Sequence, residues 1–197
     1  MAVDTPDRVQ RHALIDRWFH WVTAATMTAL LATGLLPVVG IRFDWVNWHS
    51  LAGVLLTAAV LLHVVRAVTV QGLRAMHLRI RDLSSERPGK YTVPQKLMHL
   101  GWSVAVLLAI VTGLVLLKKV GVPLILRDPY FLTLETWGRL TLLHDFAALL
   151  AMFLIKVHIY FGLLPEKRMY LRSMVRGWVT REELRAHHDP EKVARGE

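Results

Sequence analysis

The chain has 197 residues, 54% of them hydrophobic, with seven tryptophans, no cysteine and a formal charge of +9. That apolar content is too high for an ordinary soluble domain, and the missing cysteines exclude thiolate-held iron–sulfur clusters, CxxCH haem attachment and disulfides within the chain. Nucleic acid is excluded as the target of the positive charge, because the basic residues fill gaps between apolar runs rather than one amphipathic face, which is the pattern of membrane topology.

In chain order, Asp16 and Arg17 lead into a first span over about 16–40, and Trp18 to Ile41 contains no charged side chain. The segment has neither the short apolar core nor the small-residue cleavage site of a signal peptide, so it is expected to be retained as a helix. A second span follows over about 45–70, uncharged from Trp45 to Val65, and a third over about 94–118, uncharged from Leu97 to Leu117. Each run is long enough to cross about 30 Å of hydrocarbon. The fourth, over about 136–164, holds only Asp145 and Lys156 from Leu140 to Pro165, each near an end where it reaches headgroups. Residues 1–165 thus read as one membrane domain and 166–197 as a charged tail, in which Thr180 and Glu183 form a capping-box signature for a short helix.

Lys and Arg are unevenly shared between the gaps. Three precede the first span, seven lie in Arg66 to Lys96 and eight in Glu166 to Glu197, eighteen in all, against Arg42, Lys118, Lys119, Arg127 and Arg139 on the other side. The expected fold is an all-α integral membrane protein, an up-and-down bundle of four transmembrane helices with both termini and the short C-terminal helix cytoplasmic. The Pro37 to Asp44 and Lys118 to Thr136 connections then face the periplasm, with Trp45, Trp48 and Trp137 in its aromatic belt.

Seven of ten histidines, His20, His49, His63, His77, His99, His144 and His158, lie in the apolar runs or their flanks, where a polar group is costly. His144 and His158 are 14 residues apart, which at about 100° per residue falls about 40° short of four turns and separates them by about 21 Å on one face. That arrangement serves two stacked redox centres, each ligated from a facing helix. The up-and-down path sets His49 level with His144 outside, and His20 level with His158 inside. His63, 14 residues after His49, competes with His20 for the inner site, and geometry alone leaves the two even. Paired imidazoles leave an iron no open position, which suits electron transfer. His99 reads as a polar or quinone-facing residue, whereas His12, His77, His187 and His188 read as solvated. Gly34 and Gly53 would let a flat macrocycle approach the backbone, although small-residue helix packing accounts for them equally.

Asp16-Arg17-Trp18-Phe19-His20-Trp21, His49 with Gly53, Lys90-Tyr91 with Gln95-Lys96, Leu143-His144, His158-Ile159-Tyr160 and the His187-His188 pair carry a resemblance over nearly the whole chain. Together they resemble the cytochrome b (gamma) subunit of membrane-bound respiratory formate dehydrogenase, within the wider di-haem cytochrome b family that also serves nickel–iron hydrogenases and thiosulfate-type reductases. The resemblance implies two haem b groups, one on His49 and His144 and one on His20 and His158, with His63 as the alternative ligand. It also implies a quinone, menaquinone or ubiquinone, beside the inner haem, for which Thr92, Gln95 and His158 are candidates. Thr92 stands where the pattern usually has asparagine, and His63 and His99 lie outside the pattern.

The expected function is transfer of electrons from a periplasmic iron–sulfur subunit, itself paired with a molybdenum or tungsten catalytic subunit, across a bacterial inner membrane to quinone. No catalysis by this chain alone is expected beyond quinone reduction, and the whole complex could form a higher oligomer. The alternatives are the cytochrome of a nickel–iron hydrogenase or of a thiosulfate- or tetrathionate-type reductase, a stand-alone di-haem quinol-linked oxidoreductase, and a haem-free anchor or transporter with a histidine proton path.

Overall fold

The computed structural model describes residues 7–71, 76–79, 82, 87–123 and 125–194. Among them run strand β1 (Arg8–Gln10), helix α1 (Leu14–Leu35), helix α2 (Trp45–Arg66) with a π-helical turn at Ala67–Gln71, helix α3 (Val93–Val120) and helix α4 (Leu134–Leu163). A 3₁₀ turn at Pro165–Lys167, helix α5 (Arg168–Arg176), strand β2 (Trp178–Thr180), helix α6 (Arg181–His187) and helix α7 (Pro190–Ala194) complete the order. Met1 to Pro6, the start of the expected membrane domain, lie outside the described residues.

Three helical stretches, Trp45–Val70, Val93–Val120 and Leu134–Leu163, are long and apolar enough to cross a membrane. Helix α1 has 22 residues, about 33 Å at 1.5 Å per residue, but Thr23, Thr26, Thr28, Thr33, His20 and its charged first turn dilute it. It also stops at Leu35 rather than near 40, because Pro37 disfavours helical geometry in the residue before it and the chain turns through Gly40 at φ 90°. Three of these threonines meet their own needs within the helix. Thr26, Thr28 and Thr33 donate to the carbonyls of Val22, Ala24 and Ala29 at 2.7–2.9 Å.

The described chain divides into two compact units. One comprises His20–Val64 and Gly101–Ile155. Its core takes one buried residue from each of four helices, Met27 of α1, Leu56 of α2, Val106 of α3 and Ala151 of α4, with Leu30, Val60, Trp102 and Ile110 packed around them. Helix α1 therefore shares a core with all three apolar helices. On the outside, Leu62, Leu142 and Phe153 are 60–72% exposed, a surface that suits hydrocarbon and not water.

The other unit comprises Met1–Phe19, Val65–Leu100 and Lys156–Glu197. Here the all-α expectation needs correcting, because β1 and β2 pair antiparallel with Val9 opposite Val179. Gly177 makes this possible. At φ 91° it ends α5 in the left-handed conformation, and its carbonyl then accepts from the amides of both Arg11 and His12 at 2.8 and 3.1 Å. The guanidinium groups of Arg8 and Arg172 both lie over the Trp178 ring, 4.1 and 4.8 Å from its centroid. The expected capping box is present, with the Glu183 amide donating to Thr180 Oγ1 at 3.1 Å and the Thr180 amide to Glu183 Oε2 at 2.8 Å, and α6 grows from it. Arg66 reaches Asp16 at 2.9 Å, joining the end of α2 to the start of α1.

Candidate functional site

His49 and His144 meet inside the first of these units. Their ring centroids are 6.1 Å apart with planes at 70°. A metal bound to one nitrogen of each ring at about 2 Å, with about 1 Å more from nitrogen to ring centre on either side, requires about 6 Å between centroids. The pair therefore fits an iron bound from both sides. Among the described residues no three His, Asp or Glu side chains gather as a metal site.

Each ring is held from behind in the same way. Thr33 Oγ1 on α1 lies 3.0 Å from His49 Nδ1, and Thr112 Oγ1 on α3 lies 2.8 Å from His144 Nδ1. A glycine follows each threonine. A Cβ on Gly34 would stand 3.6 Å from His49 Cε1, while one on Gly113 would stand 3.1 Å from His144 Cε1, inside ordinary contact. Sequence reasoning singled out Gly34 for a different geometric reason and missed Gly113, Thr33 and Thr112. The repeated Thr-Gly dipeptide was the signal available.

His20 lies on α1 with its ring edge-on to Trp21 at 5.1 Å. His63 lies on α2, in the same unit as His20, whereas His99 on α3 and His158 on α4 belong to the other unit. Of the quinone candidates, Thr92 and Gln95 cap the start of α3. The Thr92 amide donates to Gln95 Oε1 at 2.9 Å and the Gln95 amide to Thr92 Oγ1 at 3.4 Å. The hydroxyl proton of Thr92 and the side-chain Nε2 of Gln95 take no part in this cap.

The expectation that His12 and His188 are solvated is wrong. His188 is fully buried and His12 is 8% exposed, because pairing of β1 with β2 brings the two chain ends together over the segment before α3. His188 Nδ1 lies 2.6 Å from the Gly89 carbonyl, which can only accept, so Nδ1 carries the proton. Nε2 then accepts from Arg11 at 3.2 Å and from the Tyr170 hydroxyl at 3.1 Å. Arg11 also donates to the Lys90 carbonyl at 2.6 Å. Burial, reinforced by the Arg11 charge, pushes the His188 pKa down to about 4. Burial likewise holds the Tyr91 and Tyr170 hydroxyls above their usual range and Lys90 below its own. Contacts between positions 11 and 188 leave no local pattern. His77 and His187, by contrast, are exposed as expected.

The family profile described as prokaryotic cytochrome b561 matches residues 11–177, most of the chain and all four long helices. No curated protein sequence matches it.

Proposed function

The chain belongs to the prokaryotic cytochrome b561 family, and we propose that within it this is a di-haem subunit carrying electrons from a periplasmic iron–sulfur partner of formate dehydrogenase to menaquinone or ubiquinone. Family membership makes it a b-type membrane electron-transfer protein that binds haem b. When bound with two axial histidines, haem supplies a one-electron redox step at an iron with no open position. The observation that carries the reading is the His49–His144 pair, spaced for one iron and backed by Thr33, Gly34, Thr112 and Gly113.

The second pair is proposed as His20 with His158, on the 14-residue register of α4 and the resemblance at both positions, with His63 as the alternative to His20. A quinone beside it would take hydrogen bonds from the Thr92 hydroxyl, the Gln95 amide nitrogen or His158. Outward-facing His49 and His144 and inward-facing His20 and His158 set the direction of flow. An electron moved inward works against about 2.3 kcal/mol per 100 mV of membrane potential, so a rise in reduction potential toward the quinone must drive it.

Three departures favour a second reading. Thr92 in place of asparagine, together with His63 and His99, would suit the sister cytochrome of a nickel–iron hydrogenase or of a thiosulfate- or tetrathionate-type reductase. Purification of the native complex separates the two: a molybdenum or tungsten formate dehydrogenase supports the first, and a nickel–iron hydrogenase sinks it. Haem content of the purified chain tests the ligands. Two low-spin b haems are expected in the reduced-minus-oxidised spectrum, falling to one in His20→Ala and staying at two in His63→Ala. The opposite pattern transfers the ligand role to His63, and a haem-free chain removes the proposal.

A further inference from the structure

Thr33 and Thr112 are more than neighbours of the paired histidines, because each oxygen also reaches two backbone carbonyls of its own helix. Thr33 Oγ1 gives its single proton to the carbonyls of Ala29 and Leu30, at 2.7 and 3.1 Å. Thr112 Oγ1 does the same toward Leu108 and Ala109, at 2.6 and 3.3 Å. A carbonyl can only accept, so with its proton on a carbonyl each hydroxyl turns lone pairs to the imidazole and the histidine donates at Nδ1; the Leu30 and Ala109 carbonyls, which also hydrogen-bond His49 and His144, favour the same tautomer. A neutral ring with its proton on Nδ1 carries its lone pair on Nε2.

We propose that Thr33 and Thr112 are a matched pair of positioning residues that lock His49 and His144 in the Nδ1-protonated tautomer, so that both Nε2 lone pairs are available to one iron, and that the two hydrogen bonds lower the reduction potential at that site. The proposal rests on the reading that His49 and His144 bind one haem. The physical cause is electron donation: an Nδ1–H held by an acceptor makes Nε2 a stronger donor, which favours the oxidised metal. The arrangement is internal to the unit that holds both histidines. It comes from α1 on one side and α3 on the other, although α2 and α4 carry the ligands. Each dipeptide also places glycine beside the ring it supports, so the chain presents the acceptor and clears the space from adjacent positions.

The test uses the full chain, purified with its haem, in Thr33→Val, Thr112→Val, Thr33→Ser and Thr112→Ser. Valine keeps the shape and removes the acceptor, whereas serine keeps the acceptor. In optical redox titrations each valine variant is expected to raise the midpoint potential of one haem, by as much as a tenfold change in its one-electron equilibrium, about 59 mV, and to leave the other haem unmoved. The serine variants should titrate like the parent. Loss of that haem in the valine variants but not in the serine variants also supports the role. Unchanged potentials in both valine variants with haem retained, or equal losses in serine and valine, would overturn it. His144→Ala separates this from the premise: if it keeps the parent haem content, the ligand assignment itself has failed, and if it loses one haem while the valine variants are silent, only the positioning role has.

Discussion

A buried imidazole held between a guanidinium and a carbonyl has one workable protonation state, and at His188 the packing of the whole tail depends on it. Its Nδ1 proton goes to Gly89 and its Nε2 lone pair receives Arg11 and Tyr170, so a second proton would turn that acceptor into a charged donor facing a cation. The unfolded chain takes up that proton near pH 6.5 and the folded chain only near 4. The stabilisation is therefore complete above about pH 6.5 and is lost as pH falls from there to 4, on the order of 3 kcal/mol in all. Glu183, which burial alone would raise, is held below its ordinary range by the Thr180 amide and Arg172, so its own contribution is lost at still lower pH. Hydrogen exchange of residues 178–188, corrected for the intrinsic effect of pH, should show the parent opening more between pH 6.5 and 4. His188→Ala leaves Arg11 and the Tyr170 hydroxyl buried without this partner, at a cost of about 2–4 kcal/mol. It should open at neutral pH and lose the dependence; equal protection in parent and variant at pH 7 would refute the role.

At the scale of elements, the four long helices were legible as long apolar runs, three of them free of charge, and their observed bounds differ from expectation mainly where Pro37 cuts α1 short. The site was legible only in part. His49 and His144 could be paired from span order and register, since both features survive in one dimension. What the helices place behind those rings could not, because Thr33 faces α2 and Thr112 faces α4 through packing that no periodicity records. The two glycines show how fine that packing is and make opposite predictions. A methyl at Gly34 meets His49 at 3.6 Å, ordinary contact, whereas one at Gly113 meets His144 at 3.1 Å and must push the ring or the helix by a few tenths of an ångström. Gly113→Ala should broaden or shift the spectrum of one haem and cost about 1–3 kcal/mol of stability, as overpacking does. Gly34→Ala should leave the spectrum as it is. Equal effects of the two in spectrum and melting would show that the rings are not held this tightly.

For the whole molecule, the two-stranded pairing that the sequence did not foretell bears on how many times the chain crosses the bilayer. β1 precedes α1 and β2 follows α4, yet Arg8 pairs with Thr180 and Gln10 with Trp178. Two strands in one ladder lie on one side of a membrane, so the number of crossings between residues 10 and 178 is even. Among the described residues three helical stretches are apolar enough to cross, and we propose α1, which gives Met27 to the core they share, as the fourth. Of the polar residues that dilute α1, Thr33 meets His49. From the excess of Lys and Arg beside the strands we propose that their side is the cytoplasm. Because the chain has no cysteine of its own, single cysteines report this directly through a membrane-impermeant maleimide added to spheroplasts. Val38→Cys and Tyr130→Cys, at positions 79% and 94% exposed, should react without permeabilisation, whereas Arg8→Cys and His187→Cys should react only after it. Labelling of Arg8→Cys and His187→Cys from opposite sides would mean an odd number of crossings, which the strand ladder forbids, and labelling of both from outside would invert the path from outer to inner haem.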